Sequence, residues 1–249
     1  MTIYVGNINN KARRVTKVYV GNISGKARLV TKVYVGNSSN KAVEVFSNFP
    51  NIYQKVEYIQ NSGYTQYINI GVKPNSSYRT ILEFAITVST GTQYVRPIFG
   101  VETDAGGISY ALSFSVYNNE NYLQAHWGDS TQGGTMGGMV ITQGEKHVAD
   151  LNRSGSFYVD DTLAGTSSTI FANGGNAYLF GINGYYYNPS NALIKVYRLR
   201  IYNGSTLVRD MHPCYLKSNT QTVGMWDAVN KVFYNNAGTG IFDKGPDVN

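Results

Sequence analysis

The chain has 249 residues, 14% charged and 13% aromatic, with 27 glycines and 21 tyrosines, a mixture that suits strands and turns rather than amphipathic helices. A single cysteine, Cys214, excludes an intrachain disulfide, so the fold does not lean on an oxidising compartment and the thiol is expected to be a small buried hydrophobe. The net charge of +6 suggests nucleic acid until it is divided by segment: Lys11, Arg13, Arg14, Lys17, Lys26, Arg28, Lys32 and Lys41 stand against Glu44 alone, and residues 47–249 are close to neutral.

Those basic residues belong to a repeat of period 15: IYVGNINNKARRVTK from Ile3, VYVGNISGKARLVTK from Val18 and VYVGNSSNKAVEVF from Val33. Self-similarity at a fixed step marks one small supersecondary unit used three times. From Ala27 to Val35 the alternation is that of a strand, with Ala27, Leu29, Thr31, Val33 and Val35 on one face and Lys26, Arg28, Val30, Lys32 and Tyr34 on the other. Gly-Asn stretches at Gly21–Gly25 and Gly36–Asn40 supply turns, so each unit is a strand, or a bent pair of short strands, plus a turn. Lys and Arg in register with this alternation read as its wet side, which argues against nucleic acid as a partner. The Ala, Val and Thr face is too thin to stabilise 46 residues alone, so residues 1–46 are expected to self-associate around a symmetry axis. A monomeric stack of hairpins is the alternative. These units resemble the tandem YVG-N-x-x-x-KAR repeats at the ends of tail-associated proteins from phages and prophages of Gram-positive bacteria.

Residues 47–51, with Pro50 among polar neighbours, read as a linker, and residues 52–249 as one larger domain. Short strands are expected at Val56–Gln60 and Tyr67–Ile70 about a turn at Asn61-Ser62-Gly63. A long one follows, with Tyr78, Thr80, Leu82, Phe84, Ile86 and Val88 on its core face and Arg79, Glu83 and Thr87 opposite. Tyr110, Leu112, Phe114 and Val116 form the next apolar face, and Leu123, Ala125 and Trp127 another, which places Trp127 in the core. If these two strands pair across Asn118–Asn121, then Tyr117, Tyr122, Gln124 and His126 share one polar, aromatic face with Ser113 and Ser115. Asp129–Gly138 (DSTQGGTMGG) reads as a glycine-rich loop without P-loop spacing. Asp160-Asp161 reads as a hairpin turn, since adjacent strand residues point to opposite faces and do not suit paired acid–base work. A strand at Ala177–Ile182 leads to three consecutive tyrosines, Tyr185, Tyr186 and Tyr187; at least one ring must face outward, available for ligand stacking or for packing at the loop base.

The closing segment contains a longer pattern. Ile194–Gly204 is a strand and turn, followed by Val208-Arg209-Asp210 with Pro213-Cys214, then Gly224-Met225-Trp226-Asp227, Lys231 with Phe233-Tyr234, and Gly238-Thr239-Gly240. This order resembles the carboxy-terminal signature of concanavalin A-like, laminin G-like jelly rolls in phage and prophage tail proteins, and SFYVDDTL at Ser156–Leu163 is similar to a hairpin of that superfamily. The resemblance implies an all-β chain, β-hairpin repeats followed by a two-sheet antiparallel jelly-roll sandwich. It implies that Arg209, Asp210 and Asp227 pin the last strands and that Trp226 fills the core. Sugar is bound in that family on the concave sheet or its rim, so Tyr117, Tyr122, Gln124, His126 and Tyr185–Tyr187 are the candidate carbohydrate contacts. Some relatives hold calcium at the rim; here Asp104 and Asp129 are the candidate ligands, and no other cofactor is expected.

Hydrolysis finds no support. No pair or triplet of acids alternates on one strand, and His126, His147 and His212 lie far apart with neither a nucleophile elbow nor a zinc spacing. No stretch supplies a secretory signal or a membrane span, so synthesis in the bacterial cytoplasm without a signal peptide and no membrane insertion are expected. The expectation is a non-enzymatic receptor-binding protein at the surface of a phage tail or related particle. Its partner would be a cell-surface glycan, its assembly a homo-oligomer, in first place a trimer, through residues 1–46. A purely structural particle protein and, further off, a glycan-degrading enzyme are the alternatives.

Overall fold

A computed structural model describes residues 49–63, 65–88, 96–102, 108–117, 120–129, 135–152, 154–168, 170, 174–184 and 193–248, and, before residue 48, the backbone of six short strands. The chain divides into two compact units, Met1–Asn51 and Ile52–Asn249. In the first, β1 (Tyr4–Val5) pairs with β2 (Arg13–Arg14), β3 (Val18–Val20) with β4 (Arg28–Val30), and β5 (Lys32–Gly36) with β6 (Ala42–Ser47), all antiparallel. Each repeat therefore returns on itself: Tyr4 faces Arg14, Val18 faces Val30 and Val33 faces Phe46. The alternation read from Ala27 to Val35 is divided between two hairpins, β4 turning back to β3 and β5 forward to β6. Ser47, expected in the linker, closes β6.

The second unit contains β7 (Tyr53–Lys55), β8 (Ile59–Gln60), β9 (Ile68–Asn69), β10 (Tyr78–Val88), β11 (Arg96–Glu102), β12 (Ile108–Tyr117), β13 (Glu120–Asp129), β14 (Thr135–Val140) and β15 (His147–Leu151). After these come β16 (Ser156–Val159), β17 (Thr162–Thr166), β18 (Tyr178–Leu179), β19 (Leu193–Asn203), β20 (Thr206–Leu216), β21 (Asn219–Asp227), β22 (Val232–Asn235) and β23 (Asp243–Lys244). No helix occurs among the described residues, and the strands form one antiparallel ladder that curls nearly into a barrel.

Two runs can be followed in the ladder. One goes β16–β15–β10–β19–β20–β21–β22 and the other β9–β18–β11–β12–β13–β14. Strand β17 joins them, pairing along β16 and touching β14 at the single pair Gly137–Gly165. An added Cβ at Gly165 would lie 2.1 Å from the Met136 carbonyl, so only glycine permits the crossing. Thr135–Gly138, read from sequence as the end of a glycine-rich loop, belongs to strand β14 for this reason: its glycines let a neighbouring backbone approach.

Both runs turn alternate residues into one core. Leu82, Phe84 and Ile86 of β10, Leu112 and Phe114 of β12, Leu123 and Ala125 of β13, and Val196 and Leu199 of β19 are all fully buried. Each side chain of Val to Phe size contributes roughly 1.5–3 kcal/mol. The Thr80 and Tyr110 hydroxyls, one from each run, bond at 2.8 Å inside this core, and Trp127 packs on Tyr110 at 5.3 Å.

The closing signature residues tie the last strands. Asp227 is fully buried and accepts from the Asp210 and Val229 amides and from Asn230 Nδ2. Arg209 donates to the carbonyls of Ile70 and Gly71. Trp226, expected in the core, is buried, its ring packed on Tyr53 at 5.3 Å. Asp160 and Asp161 take φ of 49° and 62°, the left-handed pair of a tight hairpin turn. The strand expected over 177–182 stops at Leu179 because Phe180 adopts φ of 66°.

Candidate functional site

Strands β12 and β13 pair as a hairpin in the register Tyr117–Glu120, Ser115–Tyr122, Ser113–Gln124 and Ala111–His126. Directly opposed residues share a face, so Ser113, Ser115, Tyr122, Gln124 and His126 lie together on the side away from Leu112, Phe114, Leu123 and Ala125. Tyr122, Gln124 and His126 are half-buried, whereas Ser113, expected beside them at the surface, is fully buried. Its burial has a partner: Ser113 Oγ lies 2.7 Å from His126 Nε2, fixing the imidazole plane. Enclosure pushes the His126 pKa below its ordinary value, since burial disfavours the charged ring. Tyr122 lies across β14 where Gly138 leaves space; a Cβ there would come within 2.4 Å of the ring. The face thus combines a tyrosine ring, an amide, a neutral imidazole and a serine hydroxyl.

Tyr117 ends β12 and Asp129 ends β13, but their side chains lie outside the described residues, as do Asp104, Tyr185, Tyr186 and Tyr187 entirely. Among the described residues no three metal-ligating side chains cluster.

A groove of about 300 Å³ lies on the outward side of the other strand run, lined by Glu83, Lys146, Tyr197, Arg198 and His212, with Lys55–Glu57, Pro213 and Val248 around it. Sequence periodicity did not point to it, because strict alternation would put Tyr197 and Arg198 on opposite faces. A β-bulge changes that. Phe84 pairs with Val196 and Glu83 with Arg198, leaving Tyr197 as the extra residue. The buried positions accordingly run Ile194, Val196, Leu199, Ile201, and both Tyr197 and Arg198 reach the groove.

The groove's charges are held in two sets. Glu83 accepts from Lys146 Nζ at 2.8 Å and meets Arg200 at 3.5 Å. Asp210 takes a two-pronged bond from Arg198 at 2.9 and 3.0 Å and lies 3.2 Å from His212 Nε2. Burial alone would raise the Asp210 pKa, but hydrogen bonds from His212 and Arg198 outweigh it and hold the carboxyl well below the usual range. Lys146 Nζ is 4.8 Å from the centre of the Tyr197 ring, whose edge meets Tyr58 at 5.6 Å. Burial raises the Tyr197 pKa, so its phenol stays a neutral hydrogen-bonding group. No protein-family model, curated protein or solved structure matches the chain.

Proposed function

We propose that the chain is a non-enzymatic glycan-binding protein of a phage tail or related particle, made multivalent by its N-terminal repeats. The second unit is read as a two-sheet jelly-roll sandwich of the concanavalin A-like kind, a reading supported by two antiparallel runs that share one core. The observation that carries the functional reading is the hairpin face, where Tyr122, Gln124 and His126 stand half-exposed over a Ser113–His126 hydrogen bond. A tyrosine ring stacks on the apolar face of a pyranose, and amide and imidazole groups satisfy its hydroxyls. The Tyr185–Tyr187 loop and Tyr117 belong to the same proposed site. Calcium at Asp104 and Asp129 is not needed for this mode of binding.

Affinity at one site of this kind is weak, and several copies on one stalk raise it through effective concentration. The repeats suit that role as a homotrimeric handle: three short hairpins with small apolar residues gain their burial by association. The test is a glycan array probed with the full chain, with native mass measured alongside. Binding that disappears in Tyr122→Ala and His126→Ala, from a trimeric particle, supports the reading. Absence of binding to any bacterial surface glycan refutes it in favour of a structural particle protein, and turnover of a polysaccharide refutes it in favour of an enzyme.

A further inference from the structure

We infer that the groove beside the Tyr197 bulge is a second saccharide site, built for an uncharged pyranose unit. The proposal rests on the glycan-binding reading for its ligand class and on an independent part of the molecule for its location.

The bulge is the first argument. It sits where the second edge of β19 changes partner, β8 pairing as far as Val196 and β20 beginning at Leu199. One unpaired residue there brings an aromatic ring and a guanidinium to the same side of a strand, a use of bulges expected next to binding sites. The apolar alternation resumes without interruption after it, so the core gains nothing from the extra residue.

The second argument is electrostatic. Glu83 is shared by Lys146 and Arg200, and Asp210 by Arg198 and His212. A charged ligand would have to compete with these pairs. A polyhydroxyl ligand would not, because the same groups keep bonding capacity: Arg198 uses Nε and one terminal nitrogen on Asp210, and Lys146 uses one of its three donors on Glu83. Glu83 and the Tyr197 hydroxyl can accept. Donors and acceptors fixed by their own ion pairs lose little freedom when a sugar hydroxyl arrives, which is the advantage of preorganisation. The Tyr197 ring adds apolar surface to the groove wall beside the Lys146 ammonium, 4.8 Å from its centre, and about 300 Å³ is at the small end of ligand pockets, room for one or two sugar rings.

The test is residue-resolved NMR titration of the full chain with D-glucose, D-galactose and D-mannose, and separately with D-glucuronate and inorganic phosphate. At least one hexose is expected to shift the Tyr197, Arg198 and His212 amides with a dissociation constant of about 1 mM. The affinity should fall about tenfold in Tyr197→Ala and in Lys146→Ala, the latter at a side chain 48% exposed and safe for folding. Tyr122→Ala should leave these shifts unchanged. Hexose shifts confined to Tyr122–His126 overturn the groove while leaving the hairpin reading standing. Absence of hexose binding at either place overturns both, and phosphate or glucuronate binding as tightly as the best hexose overturns the uncharged ligand.

Discussion

Replacing Asp227 by alanine should be among the most damaging single changes in the second unit. The carboxylate is fully buried and accepts three hydrogen bonds, from the Asp210 amide at 3.1 Å, the Val229 amide at 2.9 Å and Asn230 Nδ2 at 2.7 Å. Arg209 Nε adds a charge at 3.6 Å. Alanine leaves those donors without their acceptor and Arg209 without its counter-charge. Arg209 keeps its bonds to the Ile70 and Gly71 carbonyls. The expected loss is about 3–5 kcal/mol, the usual result of removing one partner from a buried charged pair. Against a total of roughly 5–15 kcal/mol that is a large fraction. For a domain of this size it corresponds to a fall in Tm of roughly 6–20 °C.

The conservative variant isolates the cause. Asp227→Asn keeps one oxygen for the two amides and loses the charge and the second acceptor, so it should cost about 1–3 kcal/mol. Urea unfolding followed by circular dichroism gives both values from the shift in midpoint at constant slope. An alanine variant that loses less than about 1 kcal/mol, or an asparagine variant as damaged as alanine, would refute the reasoning.

Four further outcomes are expected. Gly165→Ala should lower stability by about 1–3 kcal/mol or more, read by thermal unfolding, because its Cβ meets backbone atoms that no rotamer change can move; an unchanged Tm would show that the β14–β17 crossing is loose. Asp210 has a depressed folded pKa, so its stabilisation is present above the unfolded value of 3.8 and is lost as pH falls toward the folded one; Asp210→Asn should flatten the acid limb of a stability–pH curve, and an unaltered limb would contradict this. The folded pKa of His126 is also depressed, so the unfolded chain takes up its proton first and stability falls as pH drops through about 6.5, a slope His126→Gln should remove in urea midpoints measured between pH 5 and 8. Cys214 is fully buried with its pKa pushed up to about 12, so a thiol reagent at pH 8 should label it only at the rate of unfolding, and prompt labelling would contradict its placement.

Much of the second unit was legible because its strands obey period two. Leu82, Phe84 and Ile86, or Leu123, Ala125 and Trp127, name the core directly, and the β12–β13 register then follows from a short connection. What escaped was set by tertiary contact. Thr135–Gly138 has little strand propensity and joins a strand because Gly137 lets the Ala164–Gly165 backbone come close. Ser113 looks like a surface serine until His126 is seen to bond it.

The Tyr197 bulge shows why the second site was harder to read than the first. The hairpin face is built from residues two apart on each strand, so alternation alone assembles it. The groove needs adjacent residues on one side, and alternation forbids that unless the ladder is broken. A break at one residue leaves only a small trace in the sequence, the single irregular step from Val196 to Leu199 in the apolar series Ile194, Val196, Leu199 and Ile201. Deleting Tyr197 would make that step regular, bringing Val196 and Arg198 together opposite Phe84 and Glu83 with every other residue on its present face. A fold that tolerates the deletion would therefore owe the extra residue to the groove, since local rules are broken most often where function demands it.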